Sequence, residues 1–231
     1  MISDASLHSN TKKGRVACVD LGSSYFRLLV ADRGGAGDEV AGVSDHRAYV
    51  GWGEHAGAEG GIPRRLLERA SQVLCGMIGT ARASGAGEIA VVSTNTLRTA
   101  SNGTAAASFL ADACGESVRV LSQREEAFLT YAAAVRAGVR QECGVDARYA
   151  VVVDVGGTST EISWGRGTRP AGFTGIGAGA HTLRARRKRP GGEGQARRMA
   201  AEARDLVDSQ WPPQAGPGSA GRGHYPLPER P

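Results

Sequence analysis

The sequence predicts an α/β protein of two related lobes, and three observations predict it. Strand-like and helix-like periodicities alternate as far as residue 140 in the order βββαβαβα. An apolar strand, an acid, a glycine turn and a returning strand occur twice: "VACVDLGSSYFRLLV" (16–30) aligns with "AVVVDVGGTSTEISW" (150–164), which sets Asp20 on Asp154 and Gly22 on Gly156. The composition, with 34 glycines and 5% aromatics in 231 residues, suits a chain of many tight turns better than a β-sandwich or a helical bundle.

Each element has its own signal. Arg15 to Gly22 and Phe26 to Asp32 are β-rich runs around a short Gly-Ser-Ser-Tyr turn, a hairpin, and "DEVAGVSDHRAYV" continues the meander. Between Pro63 and Gly85, the residues Leu66, Leu67, Ala70, Val73, Leu74, Met77, Ile78 and Ala81 recur at i, i+3, i+4 spacing, so one helix face is buried. "EIAVVST" (Glu88 to Thr94) is a buried strand, "GTAAASFLADACG" a helix, "SVRVLS" (Ser117 to Ser122) a strand and "QREEAFLTYAAAVRAG" a helix. The strand, turn and strand pattern then restarts. "GQARRMAAEARDLVDS" makes a further helix, whereas "QWPPQAGPGSAGRGHYPLPERP" is rich in Pro and Gly and lacks apolar periodicity, which reads as disorder. The expected organisation is a disordered 1–14, a first lobe over 15–140, a partial second lobe over 141–210 and a disordered tail over 211–231.

Composition excludes several classes. No apolar run is long enough to span a bilayer, and the N-terminal "MISDASLHSNTKKGR" has no apolar signal core, so a cytoplasmic protein without membrane attachment is expected. Cys18, Cys75, Cys114 and Cys143 are scattered without zinc-site spacing and read as buried free thiols. The formal charge of +5 owes much to "RARRKR", Arg184 to Arg189, which reads as a solvated segment rather than a nucleic-acid surface, although a polyanionic substrate would welcome it. No specific nucleic acid is expected as a partner.

The repeated turn carries the chemistry. Glycine lets backbone approach a ligand and aims successive N–H groups at it, which suits phosphate; Thr158, Ser159 and Thr160 add hydroxyls. A carboxylate at each strand end suits a hard cation such as Mg²⁺, which takes few carboxylates plus phosphate oxygens. A single turn of this kind is equally well a hairpin with incidental acids. Two turns at matching places, facing each other across a cleft, point to phosphate.

Four segments together resemble the exopolyphosphatase and guanosine pentaphosphate phosphatase (Ppx/GppA) family over residues 15–183: "VDLGSSYFRLLV", "VVSTNTLRTASN", "VLSQREEAFLTY" and "VVVDVGGTSTEIS", in the family's order. The resemblance implies an actin-like ATPase (ribonuclease H-like) fold of duplicated βββαβα lobes, and Mg²⁺-dependent release of terminal phosphate from inorganic polyphosphate or guanosine pentaphosphate. By position, Glu126 matches the catalytic base and Arg98 an arginine that faces phosphate. Asp20, Asp154 and Glu161 match the acids of the metal and water site. Gly22, Ser23 and Ser24 with Gly156, Gly157, Thr158 and Ser159 form the phosphate loops. A homodimer is open, since relatives of this kind are often dimers.

Bland readings stand beside these. Glu125 completes the capping box S-x-x-E with Ser122, while Glu126 lies about 100° further round the helix and is also a first-turn acid that the helix dipole favours. For Arg98 the alternative is a surface salt bridge, for Asn102 a helix N-cap, and His46, His55, His181 and His224 read as surface or core residues. No Ser or Cys is flanked by a His that suggests a covalent intermediate. Ser24 stands where the family usually has Asn, and Thr158 where it usually has a third Gly. The family's further Gly-Gly-Thr loop, strands and helices are not recognisable, so the second lobe is expected to be incomplete. Two other functions remain: a catalytically weak phosphate or nucleotide binder, and an actin-fold relative of another kind, since "DVGGTSTEIS" alone also resembles the phosphate loop of sugar kinases and hydantoinases, against which the Leu-Arg and Glu-Glu segments speak.

Overall fold

A computed structural model describes residues 14–34, 40–54, 61–140, 150–185 and 201. The first lobe opens with the meander β1 (Arg15–Leu21), β2 (Tyr25–Arg33) and β3 (Val40–Tyr49). A 3-10 turn (Trp52–Glu54) leads to α1 (Arg64–Ala83), then β4 (Glu88–Ser93), α2 (Asn95–Thr99), α3 (Gly103–Cys114), β5 (Val118–Val120) and α4 (Gln123–Arg140). The sheet order is β3-β2-β1-β4-β5, with β1 antiparallel to β2 and parallel to β4. The second lobe repeats the meander as β6 (Ala150–Val155), β7 (Thr160–Arg166) and β8 (Arg169–Ile176), followed by α5 (Ala180–Ala185).

Alternation along β1 decides which face is core. Ala17, Val19 and Leu21 point inward with Phe26, Leu28 and Val30 of β2, and α1 covers them with Leu66, Ala70, Leu74, Met77, Ile78 and Ala81. Each fully buried Leu or Ile here contributes about 1.5–3 kcal/mol. Trp52 packs edge-on against Phe26, with ring centroids 5.0 Å apart. The predicted helices and strands fall within a residue or two of the observed ones, and α2 is an additional short helix in "NTLRT".

The meander repeat is exact in register. Asp20 pairs with Arg27 across β1 and β2, and Asp154 pairs with Glu161 across β6 and β7, seven residues apart in both cases. The counterparts of Ala17, Val19 and Leu21 are Val151, Val153 and Val155, which are 57%, 56% and 66% exposed. The opposite face of β6 to β8 packs on α4.

Three expectations are corrected. Cys75 of α1 and Cys114 of α3 are joined in a disulfide with Cα atoms 5.0 Å apart, because the packing of α1 on α3 brings them together; Cys18 is free but exposed, not buried. Asn102 does not cap α3 with its side chain. Its Oδ1 instead accepts the Ile62 N–H at 2.7 Å and its Nδ2 donates to the Ile62 carbonyl at 3.0 Å, pinning the entry to α1. The predicted helix over 194–209, apart from residue 201, and Cys143, His55 and His224 lie outside the described residues, as do the expected tail and residues 1–13 of the expected N-terminal segment. Among the described residues no helix is long and apolar enough to cross a membrane.

Candidate active site

The site lies where β1, β4, β6 and α4 bring their chemistry-bearing ends together. In the first turn, carbonyl oxygens point at the segment 50–53: Gly22 O accepts from Trp52 Nε1 at 2.9 Å, Ser23 O from Gly53 N at 2.9 Å, and Ser24 O from Val50 N and Gly51 N at 2.8 and 3.0 Å. The peptides are trans, so the N–H that follows each carbonyl points the other way, and the Ser23 and Ser24 amides face away from that segment. A Cβ on Gly22 would lie 2.8 Å from Tyr25 O, which explains glycine at the turn.

The second turn meets the first. A Cβ on Gly157 would lie 2.3 Å from Ser23 Oγ and 2.5 Å from His181 Cδ2, so only glycine lets the two turns approach this closely. The expected face-to-face placement is therefore present. One detail differs: the Gly156 N–H closes its own turn onto Ser159 O at 2.9 Å and is not turned to a ligand. The Gly156 and Gly157 carbonyls accept from Ala180 N and His181 N at 3.0 and 2.7 Å. Thr158 Oγ1 accepts from Asn95 Nδ2 at 2.9 Å, which ties α2 to the second turn.

Glu125 and Glu126 separate as the helical geometry requires. Glu125 makes the reciprocal capping box, with Ser122 N donating to Glu125 Oε2 at 2.8 Å and Glu125 N to Ser122 Oγ at 3.2 Å, and it pairs with Arg119. Glu126 turns inward, its side chain 12% exposed, and its Oε2 lies 2.9 Å from Arg98 Nη1. Arg98 Nη1 also donates to Leu121 O at 2.8 Å, and Nη2 lies 3.5 Å from Asn95 Oδ1. Arg98 is thus a half-buried ion-pair partner of the candidate base in this structure. Burial raises the Glu126 carboxyl above the ordinary range, while Arg98 and a Thr94 hydroxyl pull it down and Asp154 adds a smaller upward push.

Three further acids share this field. Asp20 is pushed up to about 6 by burial, with Arg27 opposing and Glu126 and Asp154 adding to the rise. Glu161, 2% exposed, is pushed up to about 7 by burial first and by Glu126 next; hydrogen bonds from Ser159 and Gln123 lower it, and Asp154 raises it slightly. Gln123 Nε2 lies 3.5 Å from Glu161 Oε1, Ser159 Oγ 3.4 Å from Oε2, and Thr130 Oγ1 donates to Asp154 Oδ2 at 3.2 Å. Where the first lobe sets a cation, Arg27, opposite its acid, the second sets another acid, an arrangement that is destabilising unless a cation joins it.

Among the described residues no three His, Cys, Asp or Glu side chains sit close enough to hold a metal ion by themselves. The donor set is nonetheless all oxygen and mutually repelling. That fits a hard, largely hydrated cation held by one or two carboxylates rather than a closed protein cage. Asp20 and Asp154, both half-exposed, are better placed to be such carboxylates than the buried Glu161.

His181 is the residue that sequence reasoning missed. Read as a surface or core histidine, it sits instead between the turns, its Nε2 hydrogen-bonded to Ser24 Oγ and its Nδ1 3.4 Å from Glu54 Oε1. Its only sequence signal was position, just after the small-residue run "GIGAGA".

The family model of the Ppx/GppA phosphatase family matches residues 29–215, four-fifths of the chain. The chain belongs to the Ppx/GppA phosphatase family. The match begins within β2, so the first turn rests on the sequence resemblance and the structure. Solved structures agree on an actin-like ATPase fold. An exopolyphosphatase from Cytophaga hutchinsonii is 21% identical with a TM-score of 0.71, over 84% of this chain and 60% of its own. The Aquifex aeolicus Ppx/GppA enzyme is 21% identical with a TM-score of 0.66, over 85% and 64%. An exopolyphosphatase-like protein is 21% identical with a TM-score of 0.74, over 86% and 62%. The chain spans somewhat under two thirds of the length of these relatives.

Proposed function

We propose that this Ppx/GppA chain hydrolyses a terminal phosphoanhydride, releasing phosphate from inorganic polyphosphate or guanosine pentaphosphate. One observation carries the reading: Glu126 at the start of α4, half-buried and turned inward onto Arg98, shares its electrostatic field with acids from both glycine turns, Asp20 and Asp154. Phosphoryl transfer depends almost wholly on positioning and charge stabilisation, and these are the parts present. The family and the exopolyphosphatases of like fold support the substrate class.

In this reading the Ser23 and Ser24 amides and the second turn receive phosphate oxygens. Glu126 orients a water and takes its proton, and its raised affinity for protons suits a base working near neutral pH. Arg98, now on Glu126, is the cation a terminal phosphate would compete for. Asp20 and Asp154 would hold Mg²⁺, with Glu161 behind Asp154; the ion would supply neutralising charge to the phosphates. Phosphate binding without turnover is the second reading, favoured by the Arg98 ion pair, which occupies the base in this state.

The test is phosphate release from each of the two substrates by the purified chain, with Mg²⁺ and with a chelator. Mg²⁺-dependent release is expected, and the preferred substrate decides between the two. No release by a folded chain that still binds polyphosphate would establish the second reading.

A further inference from the structure

Helices α1 and α3 lie side by side and are fastened at matching heights. At their starts, Asn102 holds the Ile62 N–H and carbonyl. Thirteen residues after Ile62 and twelve after Asn102, the sulfurs of Cys75 and Cys114 are bonded, with Cα atoms 5.0 Å apart. Further on, Arg82 Nη2 lies 2.8 Å from Glu116 Oε1. The disulfide is the covalent tie among these, and neither the phosphate role nor the cation role uses it.

A permanent staple belongs to small domains that cannot fill a core of their own. This lobe fills one: Phe26, Trp52, Leu74, Ile78 and Leu110 are fully buried. Cys75 and Cys114 are instead partly exposed, within reach of a small thiol. Each sulfur also has an acceptor in place for the reduced state, since Cys75 Sγ lies 3.5 Å from Ala113 O and Cys114 Sγ 3.5 Å from Ser71 O. Ala113 belongs to the last turn of α3, whose carbonyls lack an intrahelical donor. A thiol pair therefore fits here with both S–H groups satisfied.

The far end of α3 meets the site. Its first residue, Gly103, is packed so closely on α2 that a Cβ there would overlap the Leu97 carbonyl. Helix α2 carries Arg98, on Glu126, and Asn95, on Thr158 of the second turn. An α3 released at its C-terminal end shifts against α2, and with it the contacts that hold the candidate base and the second turn.

We propose that Cys75 and Cys114 form a reversible redox clasp: oxidised, it holds α3 on α1 and α2 in place; reduced, it lets α3 loosen and slows turnover. The effect on turnover rests on the phosphoanhydride reading above, whereas the thiol chemistry does not. The co-reactant is a dithiol. One of its thiolates attacks a clasp sulfur, the S–S bond breaks, and the electron pair leaves on the other sulfur, which takes a proton. The second thiolate then attacks the mixed disulfide and frees the first clasp sulfur, which takes a proton in turn. Two electrons and two protons pass to the clasp, and the dithiol leaves as a disulfide.

The full chain is equilibrated with dithiothreitol buffers of graded oxidised-to-reduced ratio, quenched in acid, alkylated and mapped by mass spectrometry. Cys75 and Cys114 are expected to pass from blocked to alkylated together, at one midpoint under native conditions, and back on reoxidation, while Cys18 is alkylated throughout. The reduced chain is expected to melt about 4–16 °C below the oxidised chain. Phosphate release from polyphosphate is expected to be about 2–30-fold slower after reduction and to recover on reoxidation. Cys75→Ser with Cys114→Ser is expected to match the reduced chain and to ignore the reductant; the wild-type titration needs no variant to fold. A bond that opens only in denaturant, or thiols alkylated at every ratio, overturns the clasp, and so does a pair that titrates while release stays the same. Where neither state releases phosphate, the hydrolase reading fails and affinity for polyphosphate decides the clasp: about 2–30-fold weaker binding in the reduced state supports it, and equal affinity overturns it.

Discussion

Glu161→Gln is expected to make the protein more stable at alkaline pH. Glu161 stands across β6 and β7 from Asp154, buried, with its carboxyl pushed to about 7 from 4.5. Each unit is 1.36 kcal/mol, so the rise corresponds to about 3 kcal/mol at most, and water reaching the cleft reduces it to about 1–3 kcal/mol. The sign follows from proton binding: between 4.5 and about 7 the folded state holds the proton and the unfolded state has lost it. Stability therefore falls as pH rises through that window, and the loss is complete above pH 7. Glutamine abolishes the titration and keeps both neighbours, since its carbonyl accepts from Gln123 and its amide donates to Ser159. Thermal melts without divalent cations are expected to show the variant about 2–12 °C higher at pH 8, for a chain of this size. At pH 5 the gap is expected to shrink to about a quarter of that. No gain at pH 8, or an equal gain at pH 5, would refute burial and like charge as the cause.

Asn102→Ala removes both hydrogen bonds to the Ile62 backbone and leaves the Ile62 N–H and C=O without this partner; chemical denaturation is expected to show a loss of about 2–3 kcal/mol, whereas a capping role alone would cost about 1. Gly157→Ala drives a methyl into Ser23 Oγ and His181; a stability loss of about 1–3 kcal/mol is expected, and polyphosphate turnover at least 10-fold lower, because the two turns are forced apart.

Local signals carried far in this chain because local and tertiary preferences agree. Leu66 to Ala81 repeat at helical spacing and do face the core, and Ser122 with Glu125 make the capping box that their spacing announced. The repeat of the meander was legible because its register is the same in both lobes, down to the seven residues separating each acid from its partner. What was not legible depends on contacts between distant segments. Cys75 and Cys114 are 39 residues apart on two helices, and only their packing makes them partners. Asn102 lies where a cap belongs, but the passing Ile62 peptide takes both its hydrogen-bonding groups. Arg98 carried two readings, a phosphate contact and a salt bridge, and only the inward turn of Glu126 names the carboxylate it pairs with in this structure. His181 meets Ser24 only across the two turns, 157 residues apart in sequence.

The most direct measurement is steady-state phosphate release from polyphosphate by Glu126→Gln beside Glu125→Gln. The two neighbours differ by one position, and the structure gives one the capping box and the other the cleft. Loss of the base is expected to lower kcat by about 10²–10⁴, while Glu125→Gln, whose amide still completes the capping box, is expected to stay within a few-fold of wild type. Equal losses in both variants, or undiminished turnover in Glu126→Gln, would contradict Glu126 as the catalytic base.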